Sequence, residues 1–401
     1  MNNPIANRDF PIEIDFRALP AELKEEFDFD VCRSTADLAC PVLDDAWNRM
    51  LETGRSPEKF YQMPAFVRSR NSAQYLEKHW ELVTVRRRSD AAVVGILPLR
   101  KGEQEVGLHL GSICLFKYKI KVLQLLGSVP LLHPAEERLF GFVLSKLLER
   151  HPDCQALSMQ AVPLELIGEF RDVKGLSCHV LHGWRECHTV PLPDTVSEYL
   201  QKFSSKKRYN LSRQIRLLSK EAGEARLVRI TQPDQVADLI AALKSLPSGQ
   251  QHATPALQTE LENSARNGLL LSYLLQCGSE TVAAIIGSSG EKVWHVHNIL
   301  CKDKYLELSV GTSITHLAMQ DVIEDLSFKL VDFGYGTPNQ EYRSTHVLKK
   351  RAQVLLCRSR SLFNAMFVIQ NMLGALNKTM VERIKKTSKE LRRNAQKPGK
   401  S

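Results

Sequence analysis

KVWHVHNIL (Lys292–Leu300), CKDKYLEL (Cys301–Leu308) and SVGTSITHLAMQDVIEDL (Ser309–Leu326) run end to end, and their reading decides the fold. The first segment has the composition and length of a strand. The last repeats apolar residues at helical spacing, and the middle one is a short polar connection. Two further strands precede them, LLLSYLLQ (Leu269–Gln276) and TVAAIIGS (Thr281–Ser288). Gly278 and Gly290 are the expected hairpin turns between the three. A strand meander thus leads into a helix whose start is Ser309, Val310, Gly311 and Thr312. Such a start, with free N–H groups and the positive end of the helix dipole, suits an anion such as a pyrophosphate. A serine and a threonine there also fit plain capping.

Working outward, SSKKRYNLSRQIRLLSKEAGE (Ser204–Glu224) reads as a helix with Leu211, Ile215 and Leu218 on one face, ended by Gly223. DQVADLIAALKSLPSG and TPALQTELENSARNG are two more helices, stopped by Gly or Pro. Downstream, FKLVDFGYG (Phe328–Gly336) and KKRAQVLLCRS (Lys349–Ser359) are strands. Residues 28–187 form an earlier lobe. Ser89-Asp90 turns a hairpin between ELVTVRRR and AAVVGILPLRKG, EVGLHLGSICLF and IKVLQLLG are two more strands, and PAEERLFGFVLSKLLERH is a helix before the strand ALSMQAV. The chain divides into an extension (1–27), this first lobe (28–187), a second lobe (188–358) and a C-terminal helix with a basic tail (359–401).

Of 401 residues, 43% are apolar and 25% charged, a globular composition long enough for two cores. No leader pattern or 18-residue apolar run is present, which predicts a cytoplasmic protein. The nine cysteines are scattered, without C-x-x-C pairs, and read as small buried hydrophobes rather than metal ligands. The net charge of +9 is concentrated. Lys202 to Lys220 holds seven basic residues and no acidic one, and the tail from Lys378 holds nine against Glu382 and Glu390. Such patches favour a polyanion or are simply solvated faces. The tail would lie on an anionic membrane with Phe363, Phe367 and Leu373 inserted, or the terminal helix would dock on the protein itself. Few aromatics interleave with the charges around Arg213 and Arg216, so a single-strand stacking platform is not suggested.

His295 and His297 are two apart on a strand and share a face. If that face lines a cleft, either one would deprotonate an amine or hydroxyl; otherwise both are packed or surface histidines. No serine-hydrolase, zinc-protease or P-loop pattern occurs.

Three segments carry a family resemblance: the basic helix SSKKRYNLSRQIRLL, the segment LSVGTSITHLAMQDVIE, and VDFGYGTPNQEYRS (Val331–Ser344). Together they resemble the BioF2-like branch of the GCN5-related N-acetyltransferase (GNAT) superfamily over about residues 195–357. That branch includes CelD/BcsL-type proteins of polysaccharide synthesis and is similar to the Fem peptidyltransferases. The resemblance implies an α/β fold of two GNAT-like lobes with mixed, mostly antiparallel sheets flanked by helices. It implies no permanently bound cofactor, with acetyl-CoA or another acyl-CoA as co-substrate. Ser309, Val310, Gly311 and Thr312 would cradle its pyrophosphate, with Asn298 on the preceding strand, expected as an edge strand along the pantetheine arm. Asp332, Phe333, Tyr335, Gly336 and Arg343 would shape the acceptor end, and Arg213 would contact an anionic group. Tyr335 or Tyr342 would protonate the leaving thiolate. The pattern departs from the family at Val310, where a proline is usual, and at Glu341, where a lysine is expected. A carboxylate at Glu341 would serve as a general base on an amine.

These features imply an acyltransferase acting on an amine or hydroxyl of a small-molecule or saccharide acceptor, in cell-envelope or exopolysaccharide metabolism. Two alternatives stay open: a Fem-like peptidyltransferase with an aminoacyl-tRNA donor, and a catalytically silent GNAT-like binding module.

Overall fold

Alternation of apolar and polar residues dominates both halves of the chain, and most of it becomes one sheet. A computed structural model describes residues 22–32, 41–54, 59–70, 80–110, 113–326, 328–335, 347–369 and 372. Its strands are β1 (Phe27–Cys32), β2 (Trp80–Arg87), β3 (Val93–Leu110), β4 (Ile113–Leu125), β5 (Leu131–Leu132), β6 (Ala156–Pro163) and β7 (Leu176–Pro191) in the first half. The second half adds β8 (Ala225–Ile230), β9 (Ser272–Cys277), β10 (Glu280–Gly290), β11 (Val293–Cys301), β12 (Leu330–Tyr335) and β13 (Val347–Arg358). The helices are α1 (Glu22–Glu26), α2 (Pro41–Thr53), α3 (Pro64–Arg70), α4 (Phe140–Arg150), α5 (Ile167–Arg171), α6 (Val196–Gln201), α7 (Ser205–Ala222), α8 (Val236–Ser245), α9 (Pro255–Arg266) and α10 (Val310–Glu324). Among the described residues no helix is long and apolar enough to cross a membrane.

The strand order is β1-β2-β3-β4-β6-β13-β7-β12-β11-β10-β9-β8, with β5 beside β3. All pairs are antiparallel except β4 with β6 and β11 with β12. The last strand in the chain, β13, returns to lie between β6 and β7. Strand β7 in turn carries β12 on its final residues, so the sheet is continuous through the middle of the molecule.

In the first half, α4 and α5 cover one sheet face. Leu97, Leu99, Leu123, Leu125, Leu157 and Met159 pack there against Phe140, Val143, Leu147 and Phe170. In the second half both faces are covered. Trp294, Val296 and Val331 face Ile314, Met319 and Leu218 from α10 and α7, while Leu274, Ala284 and Ile286 face Leu239, Leu243 and Leu261 from α8 and α9.

Three strand expectations are corrected. EVGLHLGSICLF is two strands: β3 runs on from Val93 to Leu110, and the chain reverses before Ile113. Complementary charge holds this register, with Lys117 against Glu105 and Lys119 against Glu103. Gly290 is not in the β10–β11 turn, because it pairs with Val293. The turn is Glu291–Lys292, both left-handed with φ of 51° and 59°, as a two-residue hairpin requires. Gly290 instead permits a close approach: a Cβ there would lie 2.5 Å from Met63 Sδ and 3.1 Å from Phe60 Cδ2. Finally, β11 is not an edge strand, since β10 pairs along it and β12 joins its first three residues.

Candidate active site

Two irregularities of the second-half backbone meet at one place. Strand β12 pairs with β11 only at Val293–His295 against Leu330–Asp332 and then departs. Beyond His295, β11 keeps β10 on one side, while among the described residues no strand is registered on its other edge. Opposite, the β10–β11 register slips between Ile286 and Gly287: Gly287 pairs with Val296 and Ile286 with Asn298. His297 is the extra residue of this β-bulge, a device that re-aims side chains and interrupts pairing.

A cavity of about 870 Å³ opens at this point between the two halves of the sheet. Its second-half wall includes His295, Val296, His297, Asp332, Gly334 and Tyr335. Its first-half wall includes the polar face of the sheet, with Gln104, Gln124, Ser158 and Gln160, together with Tyr61, Phe66 and Trp80. Gln124 and Ser158 are register partners across β4 and β6. Arg70 on α3 pairs with Glu260 on α9 across the rim, tying the halves together over the cavity.

Each polar group in the floor has an identifiable environment. His295 is buried, its ring 4.9 Å from that of Phe60. Burial pushes its imidazole down to about 4, against the opposing pull of Asp332. His297 is open to the cavity yet ringed by protein, and this desolvation moves it below the ordinary histidine value despite Glu260 and Asp332. Its Nε2 lies 2.8 Å from Ser288 Oγ. Both histidines are therefore neutral near pH 7 and have a ring nitrogen able to accept a proton.

Asp332 is buried and accepts from Gly334 N–H at 2.7 Å, Cys187 Sγ at 3.6 Å and Arg351 Nη1 at 3.4 Å. Arg351 and Asp332 form a buried ion pair with side chains 4% and 8% exposed. The guanidinium of Arg185 lies 4.4 Å from the ring centre of Tyr335.

The start of α10 lies at the far end of β11. Ser309 is left-handed, with φ 55° and ψ 40°, and its side chain caps nothing. A plain serine cap, expected as the alternative, is absent. The first intrahelical amide bond is Ser313 N–H to Ser309 C=O at 3.0 Å. The amides of Val310, Gly311 and Thr312 precede it and have no acceptor within the helix. Val310 is buried, Thr312 half-buried. A Cβ on Gly311 would lie 3.1 Å from Cys301 Sγ, so glycine lets the helix start press against the end of β11. Asn298 is half-buried on β11.

The structure thus gathers His295, His297, Asp332 and Tyr335 around one cavity, with Ser309–Thr312 beyond the end of the same strand. It separates others from that group. Phe333 is buried in the second-half core, and Arg213 is exposed on α7. Gly336, Glu341, Tyr342 and Arg343 lie outside the described residues. The terminal helix places Phe367 in the core beside Phe363, with Phe367 stacked on His179 and Phe363 on Tyr118. The two phenylalanines are thus packed on the protein, not available for insertion in a membrane, and Leu373 lies outside the described residues.

Sequence reasoning missed Arg351, Ser288, Phe60, the glutamines of the first-half wall and the Arg70–Glu260 pair. A signal existed for some of them. Gln124, Ser158 and Gln160 break otherwise apolar runs at alternating positions, and Arg351 opens the apolar run of β13.

Residues 205–344 match the family described as Acetyltransferase (GNAT) domain. Among curated proteins, no sequence matches. Several solved structures are similar. FemX is 9% identical, covering 84% of this chain and 100% of its own, with a TM-score of 0.55. The tandem GNAT protein of the clavulanic acid biosynthesis pathway is 12% identical, covering 84% and 99%, with a TM-score of 0.49. L-PGS from Bacillus licheniformis is 12% identical, covering 82% and 96%, with a TM-score of 0.47. At such identities the likeness is one of fold, and of these three FemX has a TM-score above 0.5. The fold is α/β, a large and mostly antiparallel sheet flanked by helices.

Proposed function

We propose that this chain, a transferase whose residues 205–344 match the family described as Acetyltransferase (GNAT) domain, moves an acyl group from acetyl-CoA. The acceptor is an amine or hydroxyl held in the cavity between the two halves. The observation that carries this reading is the parting of β12 from β11 after His295, inside the cavity and on the strand that ends against the start of α10.

The residues present fit acyl-CoA. The amides of Val310, Gly311 and Thr312 suit the pyrophosphate, since they lack helical acceptors and lie at the positive end of α10. The open edge of β11 after His295 offers backbone groups to the amide-bearing pantetheine arm. The thioester then reaches the parting of the strands. There the acceptor nitrogen or oxygen attacks the carbonyl carbon, and the C–S bond breaks. His297, neutral and open to the cavity, takes the acceptor's proton. Tyr335, on the second-half wall opposite Tyr61, protonates the departing thiolate. Asp332, anchored by Arg351, holds negative charge beneath this centre. Placement of the pathway in envelope or exopolysaccharide metabolism rests on the BioF2-like resemblance.

The test is calorimetric binding of acetyl-CoA to the wild type and to Thr312→Glu. A glutamate at the third helical position favours the helix itself, so the fold should survive while the carboxylate opposes the pyrophosphate. Micromolar binding by the wild type that drops at least roughly 10-fold in the variant is expected. A folded wild type that binds no acetyl-CoA overturns the reading.

A further inference from the structure

The outward face of α7 has a pattern that the acyl-transfer reading does not use. At about 100° per residue, Lys206, Tyr209, Arg213, Arg216, Leu217 and Lys220 fall within an arc of about 100°, turned away from the buried Leu211 and Leu218. All six are exposed, Tyr209 to 60% and Leu217 to 38%. Among the described residues, none of the four cations has a carboxylate partner. Exposed cations elsewhere commonly do, as Arg88 with Asp28 and Arg138 with Glu26. The row extends over about 21 Å of helix. The Asp303–Leu308 turn, in contact with α7, exposes Leu306 to 55% together with Lys304, Asp303 and Glu307.

A row of unpaired like charges repels itself, and the repulsion is relieved when an anionic surface covers it. The side chains between the charges distinguish which surface. Phosphates of a nucleic acid offer nothing to Leu217 or Leu306. A lipid headgroup layer accepts leucine and tyrosine at shallow depth while lysine and arginine reach the phosphates. We propose that α7, with the Asp303–Leu308 turn, docks the protein on an anionic lipid surface. This face differs from the one the sequence suggests, because Phe363 and Phe367 of the terminal helix are already packed on the first half.

Co-sedimentation of the full chain with vesicles tests this. Vesicles of phosphatidylcholine alone should leave it in solution, and vesicles containing phosphatidylglycerol should pellet it, less as salt rises. Lys206→Glu/Arg216→Glu should weaken pelleting on the order of 100-fold. Leu217→Ser/Leu306→Ser should weaken it roughly 10-fold, and a chain ended after Met372 should still bind. Unchanged thermal melting establishes that the variants fold. If charge reversal unfolds the chain, Lys206→Gln/Arg216→Gln gives the same comparison with half the charge change. The proposal is overturned if the full chain ignores anionic vesicles, or if truncation alone abolishes pelleting. It also fails if tRNA binds the face while vesicles do not. Calorimetry with acetyl-CoA reads the donor site separately, so neither result stands in for the other.

Discussion

The two halves of the sheet use opposite means to face the same cavity. The first half presents regular strands: β3 and β4 pair from Leu99–Leu125 to Leu110–Ile113 with one slip near the tip. Their polar side chains, Arg100, Gln104 and Gln124, form part of the cavity wall. The second half presents interrupted backbone, with a bulge at His297, strands that part after His295, and a left-handed Ser309 before α10. A regular ladder satisfies its own amides and leaves only side chains to meet a ligand. An interrupted one exposes backbone groups, at a cost that its surroundings must offset. On the proposed acyl transfer, donor recognition would fall to the second half and shape to the first.

The largest test of that dependence is Arg351→Met. Arg351 belongs to β13, which returns between β6 and β7 among the first-half strands and slips register beside Arg351, while its partner Asp332 belongs to the interrupted β12. Leaving a buried carboxylate without its cation should cost about 3–5 kcal/mol, read as a lower midpoint in urea unfolding. A loss below about 1 kcal/mol would mean that the halves do not lean on each other there. Next, His297→Gln should lower kcat by about 10²–10⁴-fold while acetyl-CoA affinity stays unchanged. An unaltered kcat would move the base elsewhere and empty the bulge of its chemical role.

The pH dependence of stability sharpens the contrast further. His295 takes up a proton near 6.5 in the unfolded chain but only near 4 in the fold. Between these values the unfolded chain binds more protons. The contribution is therefore full above 6.5 and lost as pH falls toward 4. His295→Gln should flatten the acid side of a stability-versus-pH curve, and an unchanged slope would contradict the burial argument. The smallest effects come from paired glycine replacements. A Cβ on Gly287, in the interrupted half, would lie 2.6 Å from both Leu271 O and Trp294 Nε1. Gly287→Ala should cost about 1–3 kcal/mol. Gly102, in the regular half, has nothing within 4 Å of such a Cβ, so Gly102→Ala should stay within about 0.5 kcal/mol. Equal values for the two would erase the distinction between the halves.

Much of this architecture was legible. The meander and the helix after it follow directly from periodicity: alternate residues of β9 and β10 face α10 and α7 in one core and α8 and α9 in another. His295 and His297 were placed on one strand face by a two-residue period, and both do line the cavity. The reason was incomplete, since a bulge with His297 as its extra residue is not encoded in any period. Gly290 was misassigned because a glycine beside a hairpin looks the same whether it makes the turn or admits Met63. Arg351 was invisible as a site residue because its partner is 19 positions away on a non-adjacent strand.

By itself, the sequence determined the β9–β11 meander and the helices around it, the anion-suited start of α10, the concentration of positive charge and the family resemblance. These are local properties, set by spacing along the chain and by side-chain chemistry. Only the tertiary structure decided that β13 returns between β6 and β7, that β12 parts from β11 at the cavity, and that Asp332 meets Arg351. It also decided which face of α7 remains uncovered and that Phe363 and Phe367 do not. Those outcomes depend on which distant segments compete for the same partner, and burial of apolar area rather than local preference resolves that competition.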